Sequence, residues 1–424
     1  MPWKFVHFIG CGGAGTQPLA MIFHELGYVC SGSDIIENNR TRLLKNAGIS
    51  VAAPGHRAEN LPEQATSENS LVVYSSAAAP DNPELKEAER RGIKSVRRGE
   101  ALALAAGNYP VTIAVGGSHG KTSVTSAIVH ILTELGMEPG YLIGGNLCGN
   151  PVSGTAGSKK IFVSEVDESD STNALFHADL AVVTNVEDDH SWSVGGTDKL
   201  FESFRVFAEK SGKLLYVPGE NPERLFKEFD SKSFRLTAIP EAICTHPDWG
   251  AFQRENAALA VNAVSIQFPE IKFTEILDAV LSFPGVDRRM TIRKQNENYT
   301  VIEDYAHHPT ELRASLSALR ERFPERRLVV VFQPHRFARL QRYFNEFAEV
   351  LSLADRVFIT PVFAAWTGNS NVDSRDLANA IGASASAVEG CWEEIGTAVK
   401  KELRQNDVAA VIGAGDLPAI FPYL

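Results

Sequence analysis

Six residues constrain this chain more than any others: Gly117-Ser118-His119-Gly120-Lys121-Thr122. They follow an apolar run, Val111 to Val115, and open a helical pattern that continues to about Leu135. A buried strand, a glycine loop and a helix in that order predict a phosphate-binding turn in a parallel α/β sheet. Glycines let backbone N–H groups approach phosphate oxygens, and the helix N-terminus adds partial positive charge. Lys121 can bridge the β- and γ-phosphates, and Thr122 can ligate Mg²⁺. The strict loop pattern requires a glycine at the position of Val115, so this is a shortened variant. The bland alternative is a glycine turn beside a surface lysine, and the strand-loop-helix setting argues against it.

Similar units flank this one. Val6 to Ile9 runs into Gly10-Cys11-Gly12-Gly13-Ala14-Gly15, then a helical pattern over Leu19 to Leu26 and a strand, Tyr28 to Ser31, ending at Asp34. That is the first half of a Rossmann-like unit, and by spacing alone it suggests NAD. Leu71 to Tyr74 is a further strand, and Tyr109-Pro110 reads as a linker. In the central stretch, strands Ile161 to Val163 and Leu180 to Val183 both end in acidic runs, Ser164 to Asp170 and Thr184 to His190. Alone, such runs are usually solvated loops; beside a phosphate loop they suit a divalent metal. A helix from Arg254 to about Ile266 closes this unit. Strand candidates Thr300 to Ile302, Leu328 to Phe332, Arg356 to Ile359 and Val408 to Ile412 alternate with helices after Pro284-Gly285. The expected class is α/β with three successive domains: Rossmann-like over 1–108, a central ATPase-like P-loop domain over 109–284, and Rossmann-like over 285–424.

Composition narrows the function. The 424 residues carry 44% hydrophobic and 22% charged side chains, ordinary for a globular protein with sizeable cores. A net charge of -11 argues against nonspecific nucleic-acid or anionic-membrane binding. The five cysteines are scattered without CxxC spacing, which fits reduced thiols in a cytoplasmic protein. Neither a signal peptide nor a bilayer-spanning run is expected.

Taken in order, the motifs resemble the Mur ligase family. The resemblance rests on Gly10 to Gly15 with Ser31-Gly32-Ser33-Asp34, Gly117 to Ser123, Glu165 to Asp170, Thr184 to His190, Asp304-Tyr305-Ala306-His307-His308-Pro309-Thr310-Glu311, Phe332-Gln333-Pro334-His335-Arg336 and Gly413-Ala414-Gly415-Asp416. The His-His-Pro-Thr-Glu and Gln-Pro-His-Arg runs are characteristic of the muramate-ligase branch. The resemblance implies an ATP-dependent ligase of peptidoglycan precursor synthesis. ATP would phosphorylate the lactoyl carboxylate of UDP-N-acetylmuramate, and the amine of L-alanine or of a peptide would attack the acyl phosphate. It implies catalytic roles for Lys121, Glu168 and His307, and a Mg²⁺ held by Thr122, Glu165 and His190. ATP would be bound by Gly117, Ser118, His119, Gly120, Lys121, Thr122 and Ser123, with Asn256 at the adenine, and Arg288, Asp304 and His308 closing from the third domain. Gly12, Gly13, Ala14, Gly15, Asp34 and Ser76 would hold the UDP-sugar. Tyr305, His307, Arg336 and Arg339 would bind the acceptor, since an arginine fork fits a carboxylate. The enzyme would be a monomer or homodimer.

Some positions depart from the family pattern. Ser191-Trp192-Ser193 stands where an aspartate is usual, Phe252 where a histidine is usual, and Phe204-Arg205 in the region of the carbamylated lysine of some relatives. The segment from His190 to Gly250 is short, and Trp366-Thr367 replaces a usual Gly-Glu. These departures keep three alternatives open: a peptide acceptor, as in murein-tripeptide recycling; a non-ligating nucleotide-binding relative; and an NAD-linked oxidoreductase. Capping of a helix start by His307-His308, and a plain loop at Gln333 to Arg336, remain the simpler readings of those runs.

Overall fold

The computed structural model describes residues 3–75, 77–189, 191–365 and 371–424. Ser76, His190 and Trp366-Thr367 lie outside these residues. Three sheets organise the chain, in two compact units: residues 1–243 with 256–284, and residues 244–255 with 285–424.

The first sheet is built from β1 (Phe5–Ile9), β2 (Val29–Ser33), β3 (Ser50–Val51), β4 (Ser70–Tyr74) and β5 (Lys94–Arg97), in the order β3-β2-β1-β4-β5. Every pairing in it is parallel. The order reverses at β1, so a crevice forms at the carboxyl ends of β1 and β4, where open α/β sheets take their ligands. Gly10 ends β1 at φ +74°, a conformation that β-carbons resist. The helix that follows runs Thr16–Glu25, earlier than the periodicity suggests. Pro18 is tolerated in its first turn because those N–H groups have no helical acceptor.

The second sheet contains β6 (Val111–Gly116), β7 (Gly140–Leu142), β8 (Gly154–Thr155), β9 (Ile161–Glu165), β10 (Leu180–Val183), β11 (Lys213–Tyr216) and β12 (Ser233–Arg235). Its order is β12-β11-β10-β6-β9-β7-β8, with only β8 antiparallel. β6 therefore lies between β10 and β9, and both acidic runs emerge beside the loop that follows β6. Short edge strands such as β8 and β12 carry too little apolar pattern to be read from sequence.

These two sheets share one unit because their elements interlock. The Glu25 carboxylate accepts from Thr155 Oγ1 at 2.7 Å and from the Ala156 N–H at 2.6 Å. Tyr109, in the linker, packs on Phe162 at 4.7 Å and donates to the Ala156 carbonyl at 3.1 Å. Arg98 pairs with Asp170 at 3.3 Å.

The third sheet holds β13 (Thr291–Gln295), β14 (Tyr299–Asp304), β15 (Leu328–Phe332), β16 (Arg356–Ile359), β17 (Ala385–Ala387) and β18 (Asp407–Ile412). The order is β13-β14-β18-β15-β16-β17, with β13 antiparallel at the edge. β18 lies between β14 and β15, so the segments beginning Tyr305, Gln333 and Gly413 leave the sheet side by side. In the same unit, Arg254 pairs with Glu321 at 2.6 Å and Arg322 with Asp248 at 2.6 Å, which fastens residues 244–255 to the helix Pro309–Arg322.

The interlock in the first unit makes one glycine indispensable. A β-carbon on Gly154 would come 2.7 Å from Pro18 Cβ and 3.2 Å from its carbonyl oxygen, neither of which can swing away. Gly154→Ala should cost about 1–3 kcal/mol, the usual range for overpacking. Thermal denaturation should show the transition of this unit falling by several degrees; an unchanged midpoint would refute the packing argument.

Candidate active site

The turn after β6 is shaped by glycines and clamped from β10. Gly117 has φ +136°, and a β-carbon there would fall on Thr184 Oγ1. Gly120 has φ +83° and precedes the helix Lys121–Glu134 with no side chain capping its N-terminus. The orphan N–H groups of that first turn are the donors an anion needs. The segment after β10 holds the loop's backbone in place. Ser118 N–H donates to the Asn185 carbonyl at 3.1 Å, and His119 N–H donates to Asn185 Oδ1 at 2.9 Å. Asn185 Nδ2 donates to the His119 carbonyl at 3.0 Å, and Thr184 Oγ1 donates to the same oxygen. Glu187 N–H donates to Ser118 Oγ at 2.9 Å. Thr184, Asn185 and the Glu187 N–H thus set the loop's shape.

Lys121 Nζ is held by the Gly117 carbonyl, by the Ser118 carbonyl at 3.3 Å and by Glu168 Oε2 at 2.8 Å. Burial disfavours its charge, but Glu168 and Asp167 outweigh that and keep it protonated. Glu168 is fully buried, and burial pushes its carboxyl up to about 7 against the pull of Lys121. Its Oε1 has no hydrogen-bond partner among the described residues. Burial also works against ionisation of Asp167, yet Lys121 and the Ser169 amide bring it below its ordinary value. Glu165 ends β9 with its carboxylate packed on Gly144 and its Oε2 buried without a hydrogen-bond partner among the described residues. Asn256 lies over the loop, with Oδ1 2.9 Å from where a Gly120 β-carbon would stand. Thr122 and Ser123 occupy the first turn of the helix.

A second glycine turn lies at the carboxyl end of the first sheet. Asp34 Oδ2 accepts from the Gly12 N–H at 2.8 Å, and the Ser33 carbonyl accepts from Gly10 and Cys11 N–H, both at 2.9 Å. Gly15 precedes the helix Thr16–Glu25, again uncapped by a side chain. The Arg98 guanidinium lies 3.3 Å from the place of a Gly15 β-carbon. A positive group beside an open helix start suits an anion. Nothing in the sequence near Gly15 announced Arg98.

In the second unit the residues expected at the acceptor come together. Tyr305 and His307 rings meet at 5.5 Å, and His307 and His335 at 5.6 Å. His335 stacks on Phe363 at 5.5 Å. His307 is lowered to about 4, first by burial and then by Arg339 and Arg289 against the pull of Glu311; His335 is lowered to about 3 by burial and by His307. Both rings are therefore neutral at pH 7. The Arg288 and Arg289 guanidiniums sit 4.9 and 5.0 Å from the Tyr305 ring centre. Arg288 also pairs with Glu303 at 2.7 Å. Arg336 adopts φ +68° and opens the helix Phe337–Arg342, which carries the buried Arg339. Gln333 joins Asp416 at 2.8 Å, which ties the Gln-Pro-His-Arg run to Gly413–Asp416.

Two expected residues have internal duties. Asp304 accepts from Met290 N–H, Ala306 N–H and Ser315 Oγ within 3.0 Å, and burial raises its carboxyl. His308 is the N-cap of the helix Pro309–Arg322 in a box with Glu311, so the capping reading of that run holds for it.

Comparisons with known proteins agree on the family of the chain. Residues 5–110 match the Mur ligase family catalytic domain, 115–242 the Mur ligase middle domain, and 288–415 the Mur ligase glutamate ligase domain. The UDP-N-acetylmuramate–L-alanine ligase of Aquifex aeolicus is 34% identical over 98% of this chain and 95% of its own length. That of Gloeobacter violaceus is 34% identical over 99% and 95%. Among solved structures, the UDP-N-acetylmuramate-alanine ligase of Thermotoga maritima has a TM-score of 0.79 at 24% identity, covering 99% of this chain and 97% of that one. A murein peptide ligase of Psychrobacter arcticus has a TM-score of 0.67 at 20% identity, covering 99% and 97%. With an uncapped phosphate loop, its paired lysine and full-length relatives of this identity, the chain belongs to the Mur ligase family.

Proposed function

We propose that this protein joins the lactoyl carboxylate of UDP-N-acetylmuramate to the amine of L-alanine, at the expense of ATP, in peptidoglycan precursor synthesis. The observation that carries the reading is Lys121: a half-buried, charged ammonium at an uncapped helix start, beside the carboxylates of Glu168 and Asp167. Relatives named for L-alanine, at 34% identity across nearly the whole chain, favour alanine over a peptide.

The chemistry proceeds in two displacements. A carboxylate oxygen of the sugar bonds to the γ-phosphorus as the bond to ADP breaks. The amine nitrogen then bonds to the acyl carbon, phosphate departs with the electrons of the C–O bond, and the nitrogen loses a proton. Lys121 turns from Glu168 to the γ-phosphoryl group and offsets the charge that develops there. The first-turn amides at the N-terminus of the helix Lys121–Glu134 bind the β-phosphate. Neutral His307 offers a nitrogen lone pair or a donor beside the acceptor, and Arg336 and Arg339 bind its carboxylate. Arg288, Asp304, His308 and Asn256 complete the nucleotide site, with Asp304 and His308 acting through the backbone they hold. Gly12 to Gly15, Asp34 and Ser76 take the UDP-sugar.

A magnesium ion fits the donor set. Glu165 Oε2, buried without a hydrogen-bond partner, is the kind of oxygen a hard cation takes, and the Thr122 hydroxyl and His190 would join it. When bound, the ion neutralises charge on the β- and γ-phosphates. The five free cysteines support a cytoplasmic setting, and no helix among the described residues is long and apolar enough to cross a membrane.

Three measurements test this reading. Phosphate release with ATP and UDP-N-acetylmuramate should require an amine and respond to L-alanine far more than to a murein tripeptide; a preference for the tripeptide would reassign the acceptor. Lys121→Ala should slow turnover on the order of 10³-fold, the scale of losing one transition-state donor. Its affinity for the UDP-sugar should stay near that of the parent, and parallel loss of both would contradict separate sites. Glu165→Gln should raise the Mg²⁺ concentration for half-maximal rate by about 10-fold or more, as loss of a ligand does; an unshifted requirement would remove Glu165 from the metal site.

A further inference from the structure

Beneath the first glycine turn lies a buried polar cluster that the ligase chemistry does not use. Glu84 has no exposed surface, and it stands in the first turn of the helix Pro83–Arg90. His7 Nε2, in the middle of β1, meets its Oε2 at 2.7 Å. Ser33 Oγ, at the end of β2, donates to both carboxylate oxygens at 2.7 and 2.8 Å. His56 Nδ1 lies 2.8 Å from Oε1, and Asn60 Nδ2 donates to the same oxygen at 3.1 Å. Burial by itself would push this carboxyl up; the hydrogen bonds from His7, Ser33 and Asn60 outweigh it and hold it at about 2.

Each partner belongs to a segment that frames the crevice. The Ser33 carbonyl holds the Gly10 and Cys11 amides, and the adjoining Asp34 holds the Gly12 amide. The loop of His56 is joined to the same place, because Gly55 N–H donates to the Asp34 carbonyl at 2.9 Å. Asn60 donates to the Gly55 carbonyl at 2.9 Å, which completes the ring. Glu84 itself terminates the connection from β4, and Asn82 caps its helix. One carboxylate therefore gathers β1, the end of β2 and the segment after β3 onto the segment after β4, and holds the glycine turn through Ser33 and Asp34. Stability alone does not call for a buried charge here, since apolar packing of the same volume generally serves as well or better.

We infer that Glu84 is a positioning residue for the nucleotide-sugar site: it fixes the glycine turn, the Ser33-Asp34 end of β2 and the His56 loop in one geometry before ligand arrives. This rests on the reading that the first sheet binds the UDP-sugar. Glu84 reaches the loops through hydrogen bonds within the protein, so the inference has a signature that can be read without ligand. Substitution should loosen those loops without touching the ATP site, which belongs to the second sheet.

The test is Glu84→Gln in the full chain, with Ser33→Ala as the milder companion that keeps the backbone carbonyl. In Glu84→Gln the KM for UDP-N-acetylmuramate should rise about 10-fold or more, as small misplacements of binding groups do, while kcat and the KM for ATP stay within about 2-fold. Amide hydrogen exchange of the ligand-free protein should quicken at residues 10–12 and 53–57. Ser33→Ala should show the same pattern more weakly, and it decides the matter if Glu84→Gln does not fold. An unchanged UDP-sugar KM with unchanged exchange would overturn the inference. So would a loss shared equally by both substrates and tracking the melting temperature, which is the mark of a purely structural group. If the parent protein has no affinity for the UDP-sugar, the ligase reading fails, and the exchange data still judge whether Glu84 sets the loops.

Discussion

The half-buried ammonium of Lys121 is the constraint around which the first unit is arranged. A cation drawn partly out of water needs partners, and those partners are Glu168 and the carbonyls of Gly117 and Ser118. Supplying them requires an acidic segment beside the loop, hence a strand next to β6 whose carboxyl end carries carboxylates; β9 is that strand. Holding the carbonyls still requires a second neighbour that bonds the loop from the other side; β10 does this through Thr184 and Asn185. The parallel order of the sheet follows from what the lysine needs as much as from the apolar strands.

Much of this was legible in the sequence. The runs at Leu180–Val183, Leu328–Phe332 and Arg356–Ile359 are strands with the bounds their apolar residues give. These strands are buried and continuous, so local pattern and tertiary environment agree. The phosphate loop announced itself because its glycines have a backbone reason to be there. The acidic runs were visible but ambiguous: Thr184 to His190 suits a metal by composition, and its first residues also shape the loop through the Thr184 and Asn185 side chains and the Glu187 N–H. Composition shows which atoms are available, not which are already engaged.

What stayed hidden was long-range. Arg98 beside Gly15, Glu84 beneath Ser33, and His335 against His307 are each joined by pairing of strands or helices far apart in the chain. No periodicity within a segment encodes such meetings. His308 shows the opposite case, in which a motif residue with an expected chemical role has a local one, as the cap that starts a helix. Both sheets of the first unit place a paired charge beside a glycine turn, fully buried Glu84 in one and half-buried Lys121 in the other.

The Tyr305 ring carries a further consequence. Two guanidiniums, from Arg288 and Arg289, lie within 5.0 Å of its centre. Each is also paired with a carboxylate, Arg288 with Glu303 at 2.7 Å and Arg289 with Glu311 at 3.9 Å. The electron-rich ring thus collects two cations, and the two carboxylates offset much of their charge. An anion arriving there competes with partners that the guanidiniums already have, so its affinity reflects the difference between two sets of contacts.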